Sequence, residues 1–436
     1  MDKTMKKYLL NYLLLVMLGM GATAAAAFQD EETAGMAPAA LSLDDLRTFT
    51  DVFNQVRNNY VEPVDDKMLL DAAIKGMLSE LDPHSAYLPD EEFQDLDESS
   101  RGRFSGIGVN VQVVDKRIVV QAVITPSPAD SAGINPRDII LSIDDNPVKG
   151  RNLRKAIDEL RGEPGSNIDL EILTPEGETR TVSMVRSTVE VPSVNFSMIE
   201  DDFGYFKVSH FNRETSAHLE STLASIEADG TTFKGIVLDL RDNPGGVLQP
   251  AVDMADGFLD EGVIVTTRGR NASMQLEFTA SPGDWLAGIP IVILIDRGTA
   301  SASEVLAGAL QDHGRALVIG ERSFGKGSVQ SVLPLRNGAG IKLTTARYYT
   351  PSGRSIQALG IEPDVSLRSM RFVDSGDTRR REVDLDRHLD HEDMGETPVI
   401  EIINPEGELG DDYYVQEALR LLKGALILSQ ATGGSE

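Results

Sequence analysis

Apolar residues along the chain follow different periods in different stretches. Leu46, Phe49, Phe53, Val56 and Tyr60 recur at steps of three and four, which puts one stripe on an α-helix. Ser42 and Asp45 supply that helix with an N-cap and an acidic first turn. A second helix is predicted near residues 67–81, stopped by Asp82 and Pro83. Such a helix pair serves either core packing or association with a partner. Between about 103 and 187 the pattern changes to short β-type runs, 118–123 and 139–143 among them, punctuated by Gly and Pro. From about 194 to 367 the runs 235–240 and 289–295 read as nearly continuous apolar strands, each followed by a helix-like segment. Parallel strands covered on both faces have this texture. The stretch from 368 to 396 is densely charged, a solvated linker. The end is helical again, with Val415, Ala418, Leu419, Leu422, Ala425 and Leu426 on one face.

Composition changes this picture in three ways. At 436 residues, with 41% hydrophobic and 25% charged, the chain supports two or three folded domains rather than one core or a disordered polymer. Lys3, Lys6 and Lys7 precede an uncharged stretch from Tyr8 to Gln29, an export signal with small residues at 24–27 for cleavage, or else a retained anchor. No Cys is present, so disulfides, thiol nucleophiles and a lipidated cysteine are excluded. The formal charge is −28, and about −30 without residues 1–27, which hold Asp2 against three Lys. Nucleic acid is thereby excluded as an expected partner, because phosphate binding needs a basic face.

Candidate chemistry sits in Thr299-Ala300-Ser301-Ala302-Ser303-Glu304, between the apolar run 289–295 and a helix through Val305, Leu306, Ala309 and Leu310. A hydroxyl is thus set at a strand-to-helix turn, where outward backbone N–H groups can stabilise an oxyanion. Capping alone would also explain Ser301 or Ser303. Six His are present, at 84, 210, 218, 313, 388 and 391; none lies in a triad signature, and His313 is the strongest candidate base among them. The competing base is Lys326, flanked by Gly325 and Gly327. To act it must be neutral, and lowering its pKa from about 10.4 to about 7 or 8 costs roughly 3 to 5 kcal/mol. Gln330, four residues on, can orient the amine without adding charge.

Ser301, Lys326 twenty-five residues later and Gln330 together resemble the carboxyl-terminal processing peptidases, Ser/Lys endopeptidases of family S41. Leu81-Asp82-Pro83-His84-Ser85-Ala86-Tyr87, Leu240-Arg241-Asp242-Asn243-Pro244-Gly245-Gly246 and the stretch 343–354 (LTTARYYTPSGR) reinforce the likeness. The resemblance implies Ser301 as nucleophile, Lys326 as general base and Gln330 as its orienting partner. It also implies an oxyanion hole from the N–H of Ala302 and one from the Gly245-Gly246 turn, and leaves no catalytic or metal role for His. Separately, Phe104, Ser105, Gly106, Ile107, Gly108 and Val109 resemble the carboxylate-binding loop of PDZ domains, in which glycines expose N–H groups to a peptide's terminal carboxylate. Arg137 departs from the Gly that such domains carry before Asp138.

The expected architecture is α/β and multidomain. A signal or anchor (1–27) and linker (28–40) lead to an N-terminal helical region (41–102), an inserted β-rich PDZ domain (103–187) and an αβ protease core with buried strands (188–367). The charged linker (368–396) and a C-terminal helical region (397–436) complete it. The expected function is a serine endopeptidase of the periplasm or cell envelope that captures substrate C-termini and cleaves them for processing or degradation. It needs no cofactor or metal, and its partners are protein substrates, an adaptor protein and further copies joined through the terminal helices. Two other classes stay open: a binding-only scaffold, which would lack the dyad, and an acyl-CoA enzyme, which would need a nucleotide pocket and no inserted module.

Overall fold

A computed structural model describes residues 41–200, 202–367 and 412–433. The expected export signal, the expected first linker and the charged stretch after 367 lie outside these residues. Among the described residues no helix is long and apolar enough to cross a membrane. The chain divides into two units, 1–73 and 74–436. In the first, α1 (Leu43–Asn59) begins where Ser42 Oγ accepts the Asp45 N–H at 3.1 Å, and it buries none of its residues. Helix α2 (Asp66–Ser79) follows.

In the second unit, β1 (Ala86–Leu88) leads into α3 (Asp90–Arg101), which ends at Gly102 with φ 70°, a left-handed cap that suits glycine. Strand β2 (Arg103–Gly106) opens a β-rich module. Its sheet contains β3 (Val109–Val114), β4 (Arg117–Val123), β5 (Ile139–Ile143), β7 (Asn167–Leu173) and β8 (Thr179–Val185) in that order, with β6 (Asn146–Pro147) on β5. Short helices α4 (Pro128–Ser131) and α5 (Leu153–Asp158) complete it, and β9 (Ser187–Glu190) pairs back with β2. Alternation works as the sequence requires: Ile168, Leu170 and Ile172 of β7 point into the core while the residues between them do not. Arg137, with φ 77°, explains why glycine suits its position.

The core sheet runs β10 (Val194–Glu200), β11 (Phe203–Val208), β12 (Gly235–Asp239), β15 (Ile291–Ile295), β16 (Ala316–Gly320), β19 (Val365–Ser366), parallel except for β10. Strands β12 and β15 are buried along their whole length because helices cover both faces. On one face lie α6 (Thr215–Ala228), α7 (Leu248–Asp256) and α8 (Ala302–Asp312); on the other, α9 (Tyr413–Gly433) seats Val415, Ala418, Leu419 and Leu422 against Tyr205, Val237, Val292 and Leu294. The buried Val and Leu side chains among these each contribute about 1.5 to 3 kcal/mol. A second, antiparallel sheet, absent from the sequence expectation, joins β1, β18 (Gly340–Tyr349), β13 (Val263–Gly269) and β14 (Glu277–Thr279), with β17 (Ser328–Pro334) also on β18. β12 and β15 are neighbours, so their carboxyl ends bring the turn after Asp239 beside the turn before α8.

Candidate active site and peptide groove

The chain leaves β15 through Asp296, whose Oδ1 accepts the N–H groups of Gly298 (2.9 Å) and Asp242 (2.9 Å), tying the two turns together. Ser301 then takes φ 56° and ψ −115° at the start of α8. A non-glycine residue holds such a conformation only where its surroundings over-determine it, at a cost of order 1–3 kcal/mol. The bonds that fix it run through backbone: Ser301 N–H donates to Glu304 Oε2 at 2.7 Å and Glu304 N–H to the Ser301 carbonyl at 2.9 Å. The Ser301 hydroxyl takes no part in either. Ser303, by contrast, is fully buried and donates to the Asn243 carbonyl at 3.2 Å.

The glycine turn lies directly against this serine. A Cβ on Gly245 would stand 2.8 Å from Ser301 Cβ and 2.9 Å from Ala302 N, so only glycine allows the approach. Its own N–H is spent on Asn243 Oδ1 at 2.9 Å. Gly246 pairs with Phe211, whose N–H and carbonyl bond Gly245 and Val247 and leave the Gly246 N–H outside the ladder. Among the described residues the N–H groups of Gly246 and Ala302 have no acceptor. Of the three residues expected to form an oxyanion hole, these two therefore retain a donor, and Gly245 supplies close packing instead.

Glu304 was not singled out in the sequence, although a Glu three residues after a helix-starting Ser is a capping-box signal. It is fully buried and joins the two halves of the site. Its Oε1 accepts from Ser323 Oγ at 2.5 Å and Gly325 N at 2.6 Å, its Oε2 from Lys326 N at 2.9 Å as well as from Ser301 N. Burial pushes this carboxyl above its ordinary pKa despite the four donors. Lys326 is shifted down from the ordinary lysine value, chiefly by burial and further by the Lys342 charge, while Glu304 opposes the shift. Gln330, on β17, donates to Ser328 Oγ at 2.9 Å and Thr344 Oγ1 at 3.4 Å; among the described residues no hydrogen bond joins it to Lys326.

The histidines fall elsewhere, with one exception. His313 caps the far end of α8, about 18 Å from Ser301 by helix rise, and its Nε2 bonds the Val263 carbonyl at 2.7 Å. His210 bonds Ser209 and Asn212. His84 lies near enough to Lys326 for the lysine charge to add to burial in lowering its pKa. His388 and His391 lie outside the described residues. Among the described residues no cluster of His, Asp or Glu could hold a metal ion.

Phe104, Ile107, Gly108 and Val109 line a cleft of about 400 Å³ together with Val111 of β3 and Ile157 and Leu160 beside α5. Strand β3 is the open edge of its sheet, so a peptide can be added to it as a further strand. Gly108 has φ 85°, and a Cβ there would stand 2.3 Å from Ser127 Cβ. Its N–H has no acceptor among the described residues. Ser105 turns its hydroxyl to the Gly162 carbonyl, and Gly106 packs against the Leu160 carbonyl. Asp95 of α3 and His210 of the core also line the cleft, which is therefore built by more than the β-rich module.

An α/β core with a strained serine at a helix start, carrying an inserted strand-adding module, defines a PDZ-bearing serine-type peptidase. Family models agree: Peptidase family S41 matches residues 202–367, the PDZ domain 105–185, and the activating protease CtpB N-terminal domain 12–92. A carboxy-terminal-processing protease of Bartonella bacilliformis is 43% identical over 323 residues, 73% of this chain and 74% of that protein. The carboxy-terminal processing proteases CtpA and CtpB of Bacillus subtilis are 35% and 32% identical, covering 72% and 80% of this chain and 67% and 73% of theirs. The chain belongs to the PDZ-containing carboxy-terminal processing proteases of peptidase family S41.

Proposed function

We propose that the PDZ module (103–187) captures the C-termini of proteins and that the core (188–367) cleaves them with Ser301 as nucleophile and Lys326 as general base. What carries the reading is Glu304 Oε2, which receives the backbone N–H of both residues and so fixes one relative to the other. The neutral Lys326 amine takes the hydroxyl proton as Ser301 Oγ bonds the scissile carbonyl carbon. The oxyanion that forms accepts hydrogen bonds from Gly246 and Ala302 N–H. The Lys326 ammonium then gives its proton to the leaving nitrogen as the C–N bond breaks. Water attacks the acyl-enzyme, passing a proton to Lys326, and Ser301 is restored with release of a new carboxyl terminus. Gln330, whose side-chain oxygen has no donor among the described residues, accepts from the ammonium and orients it. Export by residues 1–27 places the reaction in the periplasm or cell envelope, on proteins delivered directly or by an adaptor.

Casein cleavage by purified variants tests the assignment. Ser301→Ala and Lys326→Ala abolish it; Lys326→Arg does too, because guanidinium stays protonated. Ser303→Ala keeps a measurable share. An active Ser301→Ala beside a dead Ser303→Ala would name the wrong nucleophile.

A further inference from the structure

Arg241 leaves β12 two residues after Asp239 and five before Gly246, and its guanidinium is shared between two carboxylates. On one side its Nε and one terminal nitrogen bond Asp239, 3.0 and 2.6 Å away. On the other, two nitrogens fork onto Asp412 at 3.1 and 2.8 Å. Asp239 is fully buried and also accepts the Tyr205 hydroxyl at 2.6 Å. Asp412 is 171 residues from Arg241 in sequence and sits at the start of α9, where its Oδ1 accepts the Tyr414 N–H at 2.9 Å. The Tyr414 ring lies 5.3 Å from the Arg241 guanidinium. The Arg241 carbonyl is held in turn by Lys207 Nζ at 2.8 Å.

We propose that Asp412 is a positioning residue for the reaction: it latches α9 to Arg241 and so holds the glycine turn that carries the Gly246 N–H. The inference rests on the assignment of Gly246 as an oxyanion donor made above. The turn needs such a hold. Asp242 takes φ 58°, a left-handed conformation unfavourable for a side chain, and Asn243 bonds both Gly245 and Ala300. Strain of this kind relaxes unless the flanking residues are pinned. Arg241 is the flanking residue, and a bidentate carboxylate pair is the strongest restraint a side chain can place on it. A small displacement of an oxyanion donor weakens the transition state more than the ground state.

Asp412→Ser separates the latch from the helix cap, since serine still caps but cannot pair with Arg241. In the full chain we expect this variant to lose about tenfold to a hundredfold in kcat and in affinity for a peptidyl boronate, whose tetrahedral adduct on Ser301 occupies the oxyanion position. The melting temperature and the Kd for an uncleaved C-terminal peptide should hold, and Asp412→Glu should recover most of the loss. Asp412→Asn, which also caps, is read in the same way if Asp412→Ser folds poorly. Wild-type boronate affinity and kcat in both variants overturn the inference, as does an equal loss for boronate and peptide that follows the melting temperature. A wild-type enzyme indifferent to the boronate overturns the serine assignment itself, and this inference with it.

Discussion

Lys326 is a cation placed where a cation is disfavoured, and its titration gives the sharpest test of the site. Its folded-state pKa is lowered, so cleavage rises with pH through a limb below the ordinary lysine value. Lys342→Gln removes a repelling charge and moves the limb to higher pH; an unmoved limb means that Lys326 is not the titrating base. The same shift affects stability. The unfolded chain binds this proton up to a higher pH than the folded one, so the cost is fully present below the folded pKa and falls away as pH rises toward the unfolded value. Lys326→Met therefore raises the melting temperature most at the low-pH side of that window. Glu304→Gln replaces one carboxylate oxygen by an NH₂ that must face N–H donors, so kcat should fall about tenfold to a hundredfold. The lysine limb should move down as the negative charge goes. A variant with wild-type kcat and pH profile would reduce Glu304 to core filling. The sequence offers Ser301 and Lys326 as candidates through residue type, glycine neighbours and family spacing. The hub joining them was not, because burial and four hydrogen bonds to one carboxyl belong to the folded chain alone.

At the scale of elements, the proposed carboxylate loop and β3 line one cleft. Amidating a substrate's C-terminus removes a charge-assisted bond of about 1.5 to 3 kcal/mol, weakening capture roughly ten- to a hundredfold. Gly108→Val should abolish the difference between free and amidated substrates, since its Cβ collides with Ser127. Equal cleavage of both substrates by wild type would leave this module a structural part only. The strands of this module and β12 and β15 were readable because their periods are local: alternation for a half-buried strand, continuous apolar residues for a doubly covered one. The second sheet was not readable. Its β1 and β14 have three residues each, and β18 draws partners from β1, β13 and β17, spread over more than two hundred residues. Nothing within a short window announces such pairings.

At the largest scale, Leu46, Phe49 and Val56 of α1 are exposed, and the expectation that the terminal helices join further copies can be tested on this apolar stripe. Replacing Leu46 and Phe49 by Glu should lower the mass measured by light scattering; an unchanged mass would exclude that helix from assembly. The formal charge of −28 is the ground on which nucleic acid is not an expected partner. By itself the sequence determined the terminal helices, the β-rich texture of the inserted module, the buried core strands β12 and β15, and which residue types could supply a nucleophile, a base and a carboxylate loop. These depend on periodicity, glycine placement and motif spacing, all carried within a few tens of residues. Only the tertiary structure decided that, among the described residues, Gly246 rather than Gly245 keeps an N–H without an acceptor, that Glu304 ties Ser301 to Lys326, and that Asp412 reaches Arg241. Each depends on which buried polar group meets which partner, and a chain settles that only when distant segments are desolvated against one another and every buried donor must find an acceptor.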